Sequence, residues 1–94
     1  MKIAILTYDR FTALDAVGPY EVLCRVPDAD VRFVAARPGP VRNDSGSLTL
    51  LVEHGLDDIP RPDIVVVPGG PGEVALRAGE AIDWLRGVHA TTTW

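Results

Sequence analysis

The sequence predicts an α/β domain, and three features carry that prediction. Two continuous apolar runs, Ile3-Ala4-Ile5-Leu6 and Ile64-Val65-Val66-Val67, have the length of strands and the composition of parallel strands covered on both faces. The second run stops at Pro68-Gly69-Gly70-Pro71-Gly72, and apolar residues at helical spacing follow it. Between these two runs, strand-like and helix-like segments alternate, which is the pattern of βαβ units rather than of an all-β or all-α chain.

Taken in order, Lys2 to Thr7 reads as a buried strand, ended by Tyr8-Asp9-Arg10. Pro19 lacks an N–H and clashes with the preceding turn in a helix interior, but it suits a first helical position. This places a turn over Thr12 to Val17 and a helix over Gly18 to Arg25, closed by Pro27. Asp15 then lies just ahead of a helix N-terminus, near the end of the first strand. Val31 to Ala36 is a second strand, ended by Pro38-Gly39-Pro40. Asn43-Asp44-Ser45-Gly46 is a polar turn of the residues that turns favour. It predicts an antiparallel side pair between Val41-Arg42 and a strand over Leu48 to Glu53. Gly55 to Pro62 reads as a loop or a single helical turn, and the central strand follows.

Beyond the glycine turn, Val74, Ala75, Leu76 and Ala78, then Ala81, Ile82, Leu85 and Val88, recur at helical spacing. Gly79 divides them into two short helices, and Arg86 and His89 suit the C-terminal end of the second. Thr91-Thr92-Thr93-Trp94 has strand character, from its β-branched run and Trp. A parallel strand there needs a further crossover to be covered, so the expectation is a truncated domain.

Composition excludes several functions. Hydrophobic residues are 47% and charged residues 23% of the 94, which is the profile of a globular chain and not of a disordered one. The net charge of −4, with nine Lys and Arg scattered singly, gives no footprint for nucleic acid. No apolar run reaches membrane-span length, and the N-terminal run is too short for a signal peptide. One cysteine, Cys24, excludes an internal disulfide and fits a reducing, cytoplasmic compartment.

The Gly69-Gly70 turn is the first candidate site. It lacks the spacing of a dinucleotide fingerprint or a phosphate loop, and Pro71 removes one amide. Its remaining N–H groups suit a developing negative charge, while a purely steric turn stays an equal alternative. Asp15 stands among Leu14, Ala16 and Val17. A carboxylate in apolar surroundings holds its proton more tightly, which suits acid–base chemistry. The alternative is a carboxylate capping the helix or facing its dipole. Glu21 reads as a solvated helix residue, and Cys24 as a small buried hydrophobe on an apolar helix face. His54 and His89 have no companions at metal-ligand spacing, so no metal site is expected.

Leu14-Asp15 with Gly18-Pro19-Tyr20-Glu21, then Asp44-Ser45-Gly46, and finally Asp63-Ile64-Val65-Val66-Val67-Pro68-Gly69-Gly70-Pro71-Gly72, form an ordered set. That set resembles the DJ-1/PfpI superfamily, and within it the isonitrile hydratase branch. The resemblance runs from Lys2 to Trp94. It implies a flavodoxin-like, doubly wound, mostly parallel sheet of the class I glutamine amidotransferase type. Residues 1–94 would be the N-terminal half of one such domain, and the whole would be a homodimer. It also implies a cysteine nucleophile on a strained strand-to-helix elbow, in sequence beyond Trp94; Cys24 does not match that position.

By the same resemblance Asp15 matches the branch's catalytic carboxylate, and Gly69 and Gly70 match the turn whose amides face the reacting group. The implied reaction is hydration of an isonitrile to an N-substituted formamide, with no metal or organic cofactor. A second expectation is a ligand-sensing domain of an AraC-type regulator, whose DNA-binding part would lie outside this segment. A third, protection against reactive carbonyls or oxidants, ranks lower, because those branches more often place a glutamate beside the thiol.

Overall fold

A computed structural model describes residues 1–72 and 79–94. In chain order its elements are β1 (Lys2–Leu6), α1 (Ala13–Leu23), β2 (Asp30–Ala35), β3 (Gly39–Arg42), β4 (Thr49–Val52), β5 (His54–Gly55), a 3-10 turn (Leu56–Asp58), β6 (Ile64–Val66) and α2 (Glu80–His89). The main sheet has the order β5-β2-β1-β6 and every pair in it is parallel. The fold is therefore α/β with a parallel sheet, as the alternating pattern requires.

Alternation along β1 distributes the core. Ile5 faces one side, with Tyr8, Phe11 and Ala16, and with Ala13 and Tyr20 of α1 packed against them. Ala4 and Leu6 face the other, with Val34, Leu56, Ile59 and Ala81, and with Trp84 and Leu85 of α2 against them. One helix covers each face, which makes the sheet doubly wound. Ile3 to Leu6 have no exposed surface. At roughly 1.5–3 kcal/mol for each large apolar side chain removed from water, this strand anchors the domain.

The side pair forms as expected: β3 and β4 are antiparallel, with Val41 opposite Leu50 and Arg42 opposite Thr49. Asn43 closes the connection, its Oδ1 accepting from Leu48 N–H at 3.1 Å and its own N–H donating to the Leu48 carbonyl at 2.9 Å. Val41 and Val52 turn inward to the α1 face of the core.

Four expectations need correction. The helix starts at Ala13, with Thr12 as its N-cap, and Pro19 lies inside it. Proline there forfeits the bond its N–H would have made to the Asp15 carbonyl. The residue before it is Gly18, which has no Cβ to clash with the proline ring. Among the described residues the run Ile64–Val67 is only half-buried: β6 pairs with β1, and Val67 just beyond it is 48% exposed. The most deeply buried strand among the described residues is β1, flanked by β2 and β6. Thr91 to Trp94 are not a strand, although Val65 N–H donates to the Trp94 carbonyl at 2.7 Å along the open edge of β6. The loop or single helical turn expected over Gly55 to Pro62 is the 3-10 turn, and only Gly55 departs from it, joining His54 in the short β5. Of the two helices expected after the glycine turn, the second is α2, with Gly79 as its N-cap, and the first lies outside the described residues.

Candidate functional site

β1 has β2 on one side and β6 on the other, so the chain reverses its direction of travel across the sheet between β1 and β6. Ligands of open α/β sheets settle at that reversal, outside the carboxyl ends of the strands. Two turns meet there: Thr7 to Thr12 after β1, and Pro68 to Gly72 after β6.

The contact between them is backbone against backbone. Thr12 N–H donates to the Gly69 carbonyl at 2.8 Å, and Gly72 N–H reaches the Arg10 carbonyl at 3.4 Å. Arg10 holds φ +67°, a left-handed value uncommon for a residue with a Cβ. Gly70 holds φ +149°, and a Cβ on it would sit 2.6 Å from the Arg10 carbonyl oxygen and 2.9 Å from Thr12 N. At Gly72 the same atom would stand 1.9 Å from the Asp9 carbonyl oxygen. The glycines let two loops approach to a distance any side chain would forbid.

Asp15 enters this junction from the first turn of α1. Its Oδ2 accepts the Gly69 N–H at 3.2 Å, across 54 residues of sequence. The carboxylate also lies where the helix dipole favours negative charge. The Thr12 hydroxyl is turned away to Asp44 Oδ2 at 3.3 Å and makes no cap bond to the helix. Asp15 itself is exposed, as is Leu14 beside it, so the apolar enclosure expected around the carboxylate is absent among the described residues. With the helix beginning at Ala13, only Ala16 of α1 is fully inside, and this register leaves residues 14 and 15 outward. The Gly70 N–H has no partner among the described residues.

Two other residues fall elsewhere. Glu21 is exposed and pairs with Arg25 Nη1 at 3.2 Å, away from the junction, as a solvated helix residue would. Cys24 is exposed at the C-cap of α1, with Arg25 Nη1 3.3 Å from its sulfur, so the expected burial is overturned. Cys24 follows the exposed Glu21 by three residues, on the same outer side of the helix. No group of three or more metal-ligating side chains forms among the described residues.

Tyr8, a strand-end residue by sequence, is a functional candidate that only the structure brings out. Its hydroxyl donates to the Pro68 carbonyl at 2.6 Å in a buried setting. The available signal was its place, directly after a fully buried strand at the carboxyl edge of the sheet.

The DJ-1/PfpI family profile matches residues 1–94, the whole chain. The chain belongs to the DJ-1/PfpI family. The isonitrile hydratase of Pseudomonas putida is 34% identical to it over 87 residues, covering 92% of this chain and 38% of that protein. A ThiJ/PfpI family protein from Pseudomonas syringae superposes with a TM-score of 0.92 at 25% identity, over 99% of this chain and 39% of that one. A cysteine-to-alanine mutant of a DJ-1 superfamily protein from Salmonella typhimurium gives 0.81 at 27% identity, over 97% of this chain and 51% of that one. This DJ-1/PfpI chain thus spans between about two fifths and one half of the length of these relatives.

Proposed function

We propose that the protein carrying this DJ-1/PfpI chain hydrates an isonitrile to an N-substituted formamide, with Asp15 as its acid–base group. The observation that supports this most is the Asp15–Gly69 bond at the sheet's reversal point, in a chain 34% identical to an isonitrile hydratase. The nucleophile is a cysteine thiol supplied from outside residues 1–94; Cys24, on the far end of α1, is not that group.

The reaction balances as two additions and one expulsion. The thiolate sulfur bonds to the terminal isonitrile carbon while Asp15, protonated, delivers a proton to the same carbon, giving a thioimidate. Asp15, now a carboxylate, takes a proton from water as its oxygen adds to that carbon. Asp15 passes that proton to the nitrogen, then takes the proton of the added hydroxyl as the C=O forms and the C–S bond breaks, so the formamide leaves with the thiolate and the protonated Asp15 both restored. Dividing the hydration in this way replaces one difficult step by two easier ones. A positioned carboxyl serving both transfers contributes typically 10²–10⁴-fold.

Gly69 N–H keeps the carboxylate oriented at the junction, and Gly70 N–H is the amide left for charge that develops on the reacting group. No metal or organic cofactor is required by these steps. The exposed Asp15 needs a cover that excludes water for these transfers. In this reading residues 1–94 are the first half of one domain, and its second half together with a second copy of the protein closes over α1. Leu14 and Val22, 76% and 69% exposed on that helix, are the apolar side chains such a cover would bury. We place the protein in the cytoplasm; no described helix is long and apolar enough to cross a membrane.

The test is to incubate the complete gene product with a simple alkyl isonitrile and follow isonitrile loss and formamide appearance by NMR. Stoichiometric formamide supports the reading. No turnover by a folded protein, with a DNA-binding region following the domain, would replace it with the ligand-sensing alternative.

A further inference from the structure

We infer that Tyr8 is a positioning residue of this site: its phenol locks the Pro68–Gly69 peptide in the one orientation that aims the Gly69 N–H at Asp15. The inference deepens the functional reading and rests on it only in taking the Asp15–Gly69 contact to be the reacting centre. Two hydrogen bonds carry it. Tyr8 O–H donates to the Pro68 carbonyl at 2.6 Å, and Gly69 N–H donates to Asp15 Oδ2 at 3.2 Å.

That carbonyl and that N–H belong to the same peptide unit. The unit is planar and trans, so its C=O and N–H point in opposite directions. A single rigid plate is therefore held by Tyr8 at one edge and holds Asp15 at the other. Turning the plate requires rotation about ψ of residue 68 and φ of residue 69. Proline fixes only its own φ, and Gly69 has no Cβ to resist the turn, so neighbouring sterics do not prevent it. The next peptide is pinned separately, by Thr12 N–H on the Gly69 carbonyl at 2.8 Å.

Tyr8 is suited to this work because its ring is already immobile. It is 8% exposed and packs with Ile5, Phe11 and Ala16. The hydroxyl is presented from the core at little further cost in side-chain entropy. In such a buried place, a bond to the carbonyl also polarises the peptide and strengthens its N–H as a donor, since hydrogen bonds in series reinforce one another.

The test uses the whole chain, labelled with nitrogen-15, and reads the Gly69 amide. In the wild type, Asp15→Asn shifts that signal, because a carboxamide replaces the carboxyl oxygen that accepts from the donor. The same change made in Tyr8→Phe is expected to shift it much less, and Gly69 hydrogen exchange is expected to quicken about tenfold, the worth of one such bond. Amides of β1 should keep their protection. A Gly69 signal as sensitive to Asp15→Asn in Tyr8→Phe as in the wild type overturns the inference.

Should Tyr8→Phe fail to fold, 3-fluorotyrosine in a Tyr20→Phe background keeps the hydroxyl and makes it a stronger donor. The Gly69 proton should then move to higher frequency, and an unmoved signal again overturns the inference. Neither readout involves turnover. A protein that ignores isonitriles but couples Gly69 to Tyr8 sinks only the functional reading, and the converse result sinks only this one.

Discussion

Replacing Gly70 by alanine tests the close approach of the two turns on which the site depends. The structure separates two costs that such a change would combine. Gly39 holds φ +138° with nothing within 4 Å of an added Cβ, so Gly39→Ala carries backbone strain alone, about 1–3 kcal/mol. Gly72 has no positive φ, but its Cβ would fall 1.9 Å from the Asp9 carbonyl oxygen. Gly72→Ala therefore carries crowding alone, at about 1–3 kcal/mol or somewhat more, because the neighbour is backbone and cannot rotate aside. Gly70→Ala has both, with φ +149° and three backbone atoms between 2.6 and 2.9 Å away. Its expected loss is the sum, about 2–6 kcal/mol. Urea unfolding followed by circular dichroism, analysed with a common slope, measures all three against the wild type. A Gly70→Ala variant within about 0.5 kcal/mol of Gly39→Ala would refute the reasoning, since strain would then be its whole cost.

Other substitutions probe the supports of the site. Gly87→Ala in α2, with open space around the new Cβ, should raise stability by about 0.5–1 kcal/mol in the same assay. Asn43→Ala removes the acceptor of Leu48 N–H in the turn that carries Asp44 toward Phe11, and should cost about 1–3 kcal/mol by urea unfolding. Glu21→Gln breaks an ion pair whose side chains are 57% and 69% exposed, and should change stability by less than about 0.5 kcal/mol.

Much of the architecture could be read directly from the residues. The apolar runs of β1 and β2 and the Asn43–Gly46 turn have local causes, namely period, β-branching and turn chemistry, and the structure follows them. Where two long-range facts had to combine, reading failed. Pro19 argues locally for a helix start, but Gly18 removes the clash and the outer face of α1 is left free, so the helix extends back to Ala13. That five-residue extension puts Asp15 in the first turn of the helix, on its exposed side. The run Ile64–Val67 is as apolar as β1, yet among the described residues it is only half-buried, because burial depends on what covers a strand as well as on its composition. The juxtaposition of Asp15 with Gly69 was legible only through resemblance to a family. Tyr8 was legible only by its place after a buried strand, because nothing in the sequence marks the carbonyl it meets.

The account stands on Asp15 as the group that moves the proton. The most direct measurement compares kcat/KM for isonitrile hydration by the complete gene product with that of Asp15→Asn, which preserves shape and removes the acid–base carboxyl. The account predicts a fall of about 10²–10⁴-fold with the fold intact. Equal rates in the two proteins would contradict it.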